Sequence, residues 1–520
     1  MSNRKLAKNI ATMSIAVFLS RILGLVRDQV MAYFFGTTWL NDAFNVAYTI
    51  PNLLRRLFGE GALSTAFVPI YNDIGAKEGK KQQFDFALNI ISILTFILSL
   101  MTLIGMIFAP IIVKLIYPGL APETLITAIK LTRITFPYLF FISLSSTLIA
   151  ILNSHDYFFM TGLSSALLNL GMILTVLIPF WVTGAVGEEL VIWAGWGVCL
   201  GGLFQTLSCL PYMRTIGYRI KIILKFSGTA ITMLWKRFIP SMIGIGIREI
   251  NLIADGIMAS FLPIGSITAL GFGNRLMQLP LGIFAISAGT AVLPHYSRFA
   301  SQDKPEELSE SMRFSSVTLA YIMLPITVII LALGQDFVYV LFQQGEFDTH
   351  ASIMTYKALL FYSIGLIFYS MNQIITPVFY AYKDTKTPVL IAIPMVILNI
   401  VLNYILMQFM AHSGLALSTS ITAIVNLFLI LYILRKKIPG ISFKGIFENI
   451  SKALIISTLI YILLVVTNSY LPHYSKLLTL VKDGILSILA FVLFYLIGLV
   501  WRIDYIKEFR QNLWNRFLKK

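Results

Sequence analysis

Long apolar runs follow one another along the whole chain, and this pattern restricts the fold more than any other feature. A helix of about 20 apolar residues spans the ~30 Å of hydrocarbon in a bilayer. The sequence is 57% hydrophobic and only 12% charged, with a mean hydropathy of +0.81. A membrane β-barrel would instead show alternating strands of about ten residues. The chain is therefore predicted to be an all-α polytopic membrane protein.

The apolar runs predict fourteen transmembrane helices. Lys and Arg concentrate in alternate connecting segments, which the positive-inside rule assigns to the cytoplasm. Lys476 and Lys482 are the main exceptions on the opposite side. Both termini are thus predicted to be cytoplasmic, in a multi-pass protein of the bacterial cytoplasmic (inner) membrane. The predicted helices are 10–35, 41–71, 84–113, 123–152, 158–183, 189–213, 229–262, 265–297, 307–334, 351–381, 386–410, 414–435, 447–469 and 480–502.

Several function classes are disfavoured by the composition. The net charge of +16 is explained by the basic loops, so no nucleic-acid partner is predicted. Cys199 and Cys209 fall in one apolar helix and indicate neither a disulfide framework nor a zinc site. The five histidines show no metal-ligand spacing. The loops are too short for a catalytic domain, so the chain is not predicted to be an enzyme.

The chain repeats part of its own pattern. The second predicted helix ends T-A-F-V-P-I-Y at 65–71, and the eighth ends T-A-V-L-P-H-Y at 290–296. Two six-helix lobes related by a parallel pseudo-two-fold axis explain this echo, an arrangement found among transporters. The predicted domains are an N-terminal lobe at 1–222, a C-terminal lobe at 223–440, and an appended helix pair with a basic cytoplasmic tail at 441–520.

The stretch from Ser20 to Tyr71 places several charges inside apolar sequence. A charge at the bilayer centre costs about 2.5–3.5 kcal/mol on insertion scales, so these side chains must face protein or a water-filled cavity. The charged residues of this stretch are Arg21, Arg27, Asp28, Asp42, Arg55, Arg56 and Glu60.

Structural explanations compete with functional ones for these charges. Arg21 and Asp28 are seven residues apart, so they share a helix face and can form an ion pair that joins helices. Asp42 begins its helix and can act as an N-terminal cap. Arg55 and Arg56 are adjacent, about 100° apart around the helix, so both cannot face one cavity. In the eighth helix Arg275 has no acidic residue in the same helix, which favours contact with a ligand.

Five blocks of sequence resemble the MurJ/MviN family of lipid II flippases, within the multidrug/oligosaccharidyl-lipid/polysaccharide exporter superfamily. The resemblance implies two lobes around a central cavity. It also implies transport of undecaprenyl-pyrophosphate-linked peptidoglycan precursor (lipid II) from the inner to the outer leaflet, in cell-wall biogenesis. The blocks are S-R-I-L-G-L-V-R-D (20–28), N-D-A-F (41–44), P-N-L-L-R-R-L-F-G-E-G-A (51–62), A-F-V-P (66–69) and N-R-L-M-Q-L-P (274–280).

The resemblance also implies which residues bind substrate and which partners the chain has. Besides lipid II, membrane lipids and other cell-wall synthesis proteins are the expected partners, and an apolar groove on the last two helices is expected to hold the lipid tail. An arginine presents planar paired donors that suit a pyrophosphate, so the residues and the resemblance agree. The implied substrate-binding residues are Arg21, Arg27, Asp42, Arg55 and Arg275.

Some members of the family resemble sodium binders, which implies a candidate ion site here. Asn403 stands where an Asp is expected, which removes one negative charge from that site. No other cofactor or metal is predicted; a coupling Na⁺ ion or the membrane potential is the candidate energy source. The implied ion-site positions are Asp255, Asn399, Asn403, Thr419 and the backbone carbonyl of Leu415.

Two alternative functions stay open at this point. A flippase for another lipid-linked oligosaccharide would recognise the same pyrophosphate. A multidrug/cation antiporter of the same superfamily would need an acidic, aromatic cavity, whereas the charged stretch here is net basic.

Overall fold

The chain is helical through most of what the structure describes. The computed structural model describes residues 3–56, 62–219, 221–471 and 475–501, and no strand occurs within these ranges. The helices are α1 Asn3–Phe35, α2 Trp39–Arg55, α3 Ala62–Lys77, α4 Lys80–Ile107, α5 Ala109–Ile116, α6 Pro122–Thr135, α7 Pro137–Ser154, α8 Phe159–Thr183, α9 Gly187–Thr215, α10 Thr229–Ser260, α11 Ser266–Pro280, α12 Ile286–Ser301, α13 Pro305–Phe342, α14 Thr349–Ile364, α15 Leu366–Ala381, α16 Lys386–Met410, α17 His412–Lys437, α18 Ile446–Tyr470 and α19 Lys476–Val500.

Several predicted helices are divided in two. The predicted helix 123–152 is interrupted before Pro137, which begins α7, because proline lacks the N–H that would continue the hydrogen-bond ladder. Within 265–297, Pro280 is followed by a π-helical turn at Leu281–Ala285. Within 351–381, α14 and α15 meet at an angle of 42° beside Gly365. Proline and glycine therefore account for these three interruptions.

The predicted class, an all-α polytopic membrane protein, is confirmed. Ten helices within the described ranges are long and apolar enough to cross a membrane, or up to eleven if the bent pair α14 and α15 is one span. The count of fourteen and the pseudo-two-fold axis stay predictions. The basic tail from residue 502 onward, and Glu60, lie outside the described residues.

The contacts divide the chain into two compact units. The first comprises Met1–Thr268 with Gln344–Phe347, and the second comprises Ala269–Gln343 with Asp348–Lys520. The first unit thus holds α1 to α10, and the second holds α12 to α19 with most of α11. The predicted domains at 1–222, 223–440 and 441–520 stay a prediction.

In the first unit, α8 and α9 approach closely because glycines lie at their crossing. A Cβ atom added to Gly201 would lie 2.9 Å from the Cα atom of Leu168. A Cβ atom added to Gly171 would lie 2.9 Å from the Cα atom of Gly201. Small residues allow this backbone approach, which drives helix association in membranes where no hydrophobic effect separates helix from lipid.

In the second unit, the long helix α13 packs against α12, α14, α15, α18 and α19. Where α13 meets the last two helices, Lys482 Nζ lies 2.8 Å from Asp336 Oδ2 and 3.4 Å from Asp483 Oδ1. It also donates to Asn468 Oδ1 at 2.7 Å. The Lys482 side chain is 9% exposed, and those of Asp336 and Asp483 are 5% and 0% exposed. This buried ionic cluster fixes the helix pair α18 and α19 on α13.

The surroundings of two glycines, one at this crossing and one in α19, predict opposite effects of substitution on stability. We expect Gly201→Val to lower the free energy of unfolding by about 1–3 kcal/mol, because its side chain meets backbone atoms that cannot move away. Gly484→Ala in α19 meets nothing within 4 Å and should raise it by up to about 1 kcal/mol. Equilibrium unfolding in mixed micelles measures both, and an unchanged value for Gly201→Val would contradict the close crossing.

The ionic cluster predicts a large cost for removing its cation. Lys482→Met leaves the buried carboxylates of Asp336 and Asp483 without this cation, so we expect the free energy of unfolding to fall by about 3–5 kcal/mol. Replacing all three charges, in Lys482→Met with Asp336→Asn and Asp483→Asn, should recover most of the loss. Lys452→Met, which breaks an exposed pair with Glu448, is the matched control and should change little. If Lys482→Met lowers the free energy of unfolding no more than this control does, the cluster does not stabilise the packing of α18 and α19 on α13.

Candidate substrate cavity

A cavity of about 720 Å³ lies within the first unit, among α1, α2, α3, α7, α8 and α9. Its charged lining residues are Arg27 and Arg55, and no carboxylate is among the lining residues that the structure describes. Hydroxyl and amide side chains form the rest of its polar surface. The other lining residues are Gly24, Tyr48, Val68, Asn72, Tyr138, Ile142, Ser146, Ile149, Ala150, Asn153, Ser154, Ser164, Ser165, Leu168, Asn169 and Gln205.

Arg27 is held in place from two sides. Its Nη2 and Nε atoms donate to Asp28 Oδ1 at 2.7 and 3.0 Å, and its Nη1 atom donates to Asn169 Oδ1 at 2.9 Å. Asn169 in turn donates from Nδ2 to the carbonyl oxygen of Ser20 at 3.1 Å. The Arg27 side chain is 14% exposed. The guanidinium is therefore oriented before any ligand arrives, which lowers the entropy cost of binding.

The adjacent arginines at the C-terminal end of α2, Arg55 and Arg56, have different surroundings. Arg55 lines the cavity, and its Nε atom donates to Asn52 Oδ1 at 2.7 Å. Arg56 Nη1 lies 3.3 Å from Glu249 Oε2 of α10, and Glu249 is buried. The expectation that the two side chains diverge agrees with this arrangement, which leaves one arginine for the cavity and uses the other to join α2 to α10.

Aromatic rings form part of the cavity wall. The rings of Tyr48 and Tyr138 have centroids 6.1 Å apart, and Phe44 stacks on Tyr48 with an interplanar angle of 4°. Such a wall presents flat apolar faces beside the two guanidinium groups. It suits a ligand in which an anionic group adjoins less polar rings or chains.

The end of the cavity near Asn153 and Ser154 adjoins a hydrogen-bonded chain of side chains. Tyr71 Oη lies 2.8 Å from His155 Nε2, and Tyr218 Oη donates to Tyr71 Oη at 3.1 Å. Burial lowers the pKa of His155 below its ordinary value, and the charge of Lys80 lowers it further. Both influences favour the neutral imidazole, so Arg27 and Arg55 are the cationic side chains of the cavity lining.

Arg21 and Arg275 lie apart from this lining. Arg21 is an exposed residue of α1 and does not line the cavity. Arg275 is a half-buried residue of α11 in the second unit, with its Cζ atom 5.9 Å from the centre of the Phe272 ring. Of the predicted substrate-binding residues, the cavity thus brings together Arg27 and Arg55. Binding roles for all five residues stay predictions.

Asp42 lies in the first turn of α2 and binds the start of another helix. Its Oδ2 atom accepts from the backbone N–H of Gly265 at 2.6 Å, and its Oδ1 atom accepts from the N–H and the hydroxyl of Thr268 at 2.9 and 2.7 Å. Asp42 is only 4% exposed. The carboxylate therefore caps the first turn of α11, where orphan N–H groups favour an anion.

Four of the predicted ion-site residues form one polar cluster in the second unit. Asn403 Nδ2 donates to Asn399 Oδ1 at 3.1 Å, and Ser418 Oγ bonds to Asn403 Oδ1. The carbonyl oxygen of Leu415 accepts from Ser418 Oγ at 2.8 Å and from Thr419 Oγ1 at 2.9 Å. These polar groups already satisfy one another's hydrogen bonds. The cluster is therefore better explained as a link between α16 and α17 than as a cation site. Asp255 belongs to α10 in the first unit, and the sodium site stays a prediction.

Sequence reasoning missed Asn169, Tyr48 and Tyr138. Asn169 was visible as an amide in the middle of an apolar helix, which is a signal for a buried hydrogen bond in a membrane. The two tyrosines had no such signal, because aromatic residues are common throughout the apolar runs. Ser418 was missed because it lies between positions that the family resemblance supplied.

The carboxylate of Asp42 predicts a stability effect separate from any ligand. In Asp42→Asn the new amide faces backbone N–H donors, so at least one of three hydrogen bonds to a charge is lost, each worth about 1.5–3 kcal/mol. We expect the free energy of unfolding to fall by about 2 kcal/mol or more in substrate-free protein. Asp73→Asn, an exposed acid of α3, is the matched control. A substrate-free stability equal to wild type would assign Asp42 to ligand contact instead.

Comparison with known proteins relates most of the chain to one family of transporters. The family model described as lipid II flippase MurJ matches residues 31–482. A probable lipid II flippase MurJ of Buchnera aphidicola subsp. Baizongia pistaciae is 33% identical over 425 residues, covering 81% of this chain and 82% of the relative. A probable lipid II flippase MurJ of Vibrio cholerae is 32% identical over 437 residues, covering 82% of each chain.

Solved structures agree with these relatives. The structure described as lipid II flippase MurJ in an inward closed conformation has a TM-score of 0.79 and 28% identity, covering 94% of this chain and 98% of that one. An inward-facing multidrug resistance MATE transporter of the MOP superfamily has a TM-score of 0.67 at 14% identity, covering 84% and 99%. This second likeness shows a shared fold alone. The match of the family model over most of the chain, with relatives a third identical across four-fifths of it, shows that this protein belongs to the lipid II flippase MurJ family.

Proposed function

We propose that the chain is a lipid II flippase, which moves the undecaprenyl-pyrophosphate-linked peptidoglycan precursor from the inner to the outer leaflet of the bacterial cytoplasmic membrane. The observation that carries the proposal is the cavity lined by Arg27 and Arg55 with no lining carboxylate among the described residues. Membership of the MurJ family supports the same substrate. As a transporter, the protein forms and breaks no covalent bond.

The chemistry of the two arginines suits a pyrophosphate. A guanidinium offers planar paired N–H donors to phosphate oxygens, and each such bond is strengthened by charge. Inside a cavity of low dielectric, these donors replace the water that a pyrophosphate loses on leaving solution. Arg27 is already oriented by Asp28 and Asn169. In this proposal Arg21, Asp42 and Arg275 assist at other stages of transport.

The prenyl chain does not need to enter the polar cavity. The helices α18 and α19 expose apolar side chains over much of their length, including Ile462, Ile485 and Ile488. A chain in contact with such a surface stays in hydrocarbon while the head group crosses. We infer that the appended helix pair holds the lipid tail during transport, with the head group carried by alternating access.

The energy source and orientation belong to the same proposal. A membrane potential of 100 mV supplies about 2.3 kcal/mol for each charge that crosses the membrane, and a coupling Na⁺ ion is the second candidate. Both termini are proposed to be cytoplasmic, as the basic loops indicate. Other cell-wall synthesis proteins are proposed partners of the flippase.

The two alternatives fit the cavity less well. A cationic drug would find no attraction in this lining, because its charged groups are Arg55 and the Asp28-paired Arg27, and no carboxylate lines the described part of the cavity. A flippase for another lipid-linked oligosaccharide would use the same arginines. Only a substrate comparison distinguishes that alternative from lipid II.

The leaflet location of lipid II in cells depleted of this protein tests the proposal. We expect the precursor to accumulate in the inner leaflet and wild type to release it. We expect Arg27→Ala and Arg55→Ala to reduce release at least tenfold, because each removes one of the two cationic groups that line the cavity. Arg27→Lys should recover only part of the wild-type release of lipid II, since a lysine keeps the charge without the paired donors.

The matched control is Lys130→Gln, which removes an exposed cation paired with Glu188 on α9. This variant should transport as wild type. Normal outward movement of lipid II without the protein, in cells that lack any second flippase, would contradict the proposal. Movement of another lipid-linked oligosaccharide in the same assay would then favour the first alternative.

A further inference from the structure

The segment between α9 and α10 is bound along the side of α4. We call residues 221–227, which are not helical, the strap. The N–H of Lys225 donates to Asn89 Oδ1 at 2.8 Å, and Asn89 Nδ2 donates to the Lys225 carbonyl oxygen at 3.0 Å. The N–H of Ile223 donates to Ser92 Oγ at 3.1 Å. Two polar side chains of α4 thus satisfy part of the backbone of the strap, as hydrocarbon surroundings require.

The strap carries both apolar and basic side chains, and Ile223, at an alternate position to Ile222 and Leu224, interrupts their regular alternation. Ile222, Leu224 and Phe226 are 80%, 48% and 57% exposed. Lys221 precedes Ile222, and Lys225 lies between Leu224 and Phe226. In an extended segment, alternate side chains point to opposite faces. Asn89 is nine residues from the start of α4, about 14 Å along its axis. A segment that presents apolar and basic side chains beside a membrane helix suits the level where lipid head groups meet acyl chains.

Beneath the strap lies a second cavity of about 550 Å³. It shares no lining residue with the cavity of Arg27 and Arg55. Its inner wall comes from α4, α7 and α9 and is mostly apolar. The apolar side chains of that wall include Leu88, Ile91, Phe96, Leu144, Leu148 and Leu210.

The rim of this cavity is basic. Arg214, Arg219 and Lys221 line it, all three are exposed, and no acidic residue is among the lining residues that the structure describes. An apolar slot beside three cations matches a molecule with an anionic phosphate next to a hydrocarbon chain. Basic pockets between membrane helices recognise lipid head groups in this way.

We propose that this site binds one anionic phospholipid of the leaflet at that end of α4, with an acyl chain in the cavity and its phosphate on Arg214, Arg219 and Lys221. Under the proposed orientation this is the cytoplasmic leaflet. An acyl chain alone would not distinguish one phospholipid from another, so the three cations select for net negative charge. The bound lipid fills the space under the strap and so stabilises the path of the chain from α9 into α10.

Native mass spectrometry of the purified full chain tests the site, with phosphatidylglycerol and phosphatidylcholine of identical acyl chains as probes. We expect one phosphatidylglycerol to bind much more tightly than phosphatidylcholine. Arg214→Gln, Arg219→Gln and Lys221→Gln combined should weaken phosphatidylglycerol about a hundredfold, since each basic group near an anionic lipid contributes about a fivefold factor. Thr95→Trp, which fills the apolar slot, should weaken both lipids.

The matched control is Lys77→Gln, Lys236→Gln and Arg237→Gln combined, which removes three exposed cations that do not line the cavity. It should bind phosphatidylglycerol as wild type. Equal losses in the two triple variants, or equal binding of the two lipids, would overturn the proposal. Tighter binding of undecaprenyl phosphate through the same three residues would assign the site to the carrier lipid instead. Thermal unfolding checks that each variant is folded.

Discussion

A charge or a backbone polar group surrounded by hydrocarbon must find its partner inside the protein, and this constraint explains the arrangement of both units. Arg27 bonds to its neighbour Asp28 and to Asn169 on α8. Arg56 reaches Glu249 on α10, and Lys482 lies between two carboxylates. Each buried charge therefore joins helices that apolar contacts alone would hold less specifically.

The same requirement explains why the cavity of the first unit is polar. Its arginines cannot face lipid, so the helices around them supply amides, hydroxyls and tyrosine rings. A space lined in this way excludes hydrocarbon and remains open to water or to an anionic ligand. The polar lining of this cavity thus follows from the cost of exposing charged side chains to lipid.

Much of this organisation could be predicted from the sequence. The apolar runs gave the class of protein, and the insertion cost of Arg27 and Arg55 placed them against protein or a cavity. The spacing of Arg21 and Asp28 suggested an ion pair, but the geometry pairs Asp28 with the adjacent Arg27, because a long flexible side chain reaches further than its Cα direction indicates. Helix breaks were harder to predict. A proline such as Pro137 can begin a new helix or kink a continuous one. Its presence in the sequence therefore does not show which of the two occurs.

Contacts between distant parts of the chain were beyond sequence reasoning. Nothing near Asp42 in the sequence shows that its carboxylate caps a turn more than 220 residues later. Nothing in the sequence around Asn89 and Ser92 shows that these side chains bind an irregular segment more than 130 residues later. Such roles depend on where the backbone is left without partners, and only the folded arrangement reveals that.

The pairing of Arg27 with Asp28 has a consequence for turnover. The Asp28 carboxylate already accepts from two donor nitrogens of Arg27, Nε and Nη2. In the proposed function, a phosphate bound to these donors would have to displace the carboxylate, so its affinity would be lower than for an unpaired guanidinium. The reverse exchange would favour release, because the carboxylate restores the ion pair as the phosphate leaves. An arginine with a neighbouring counter-ion thus suits a carrier, which must release its cargo as well as bind it.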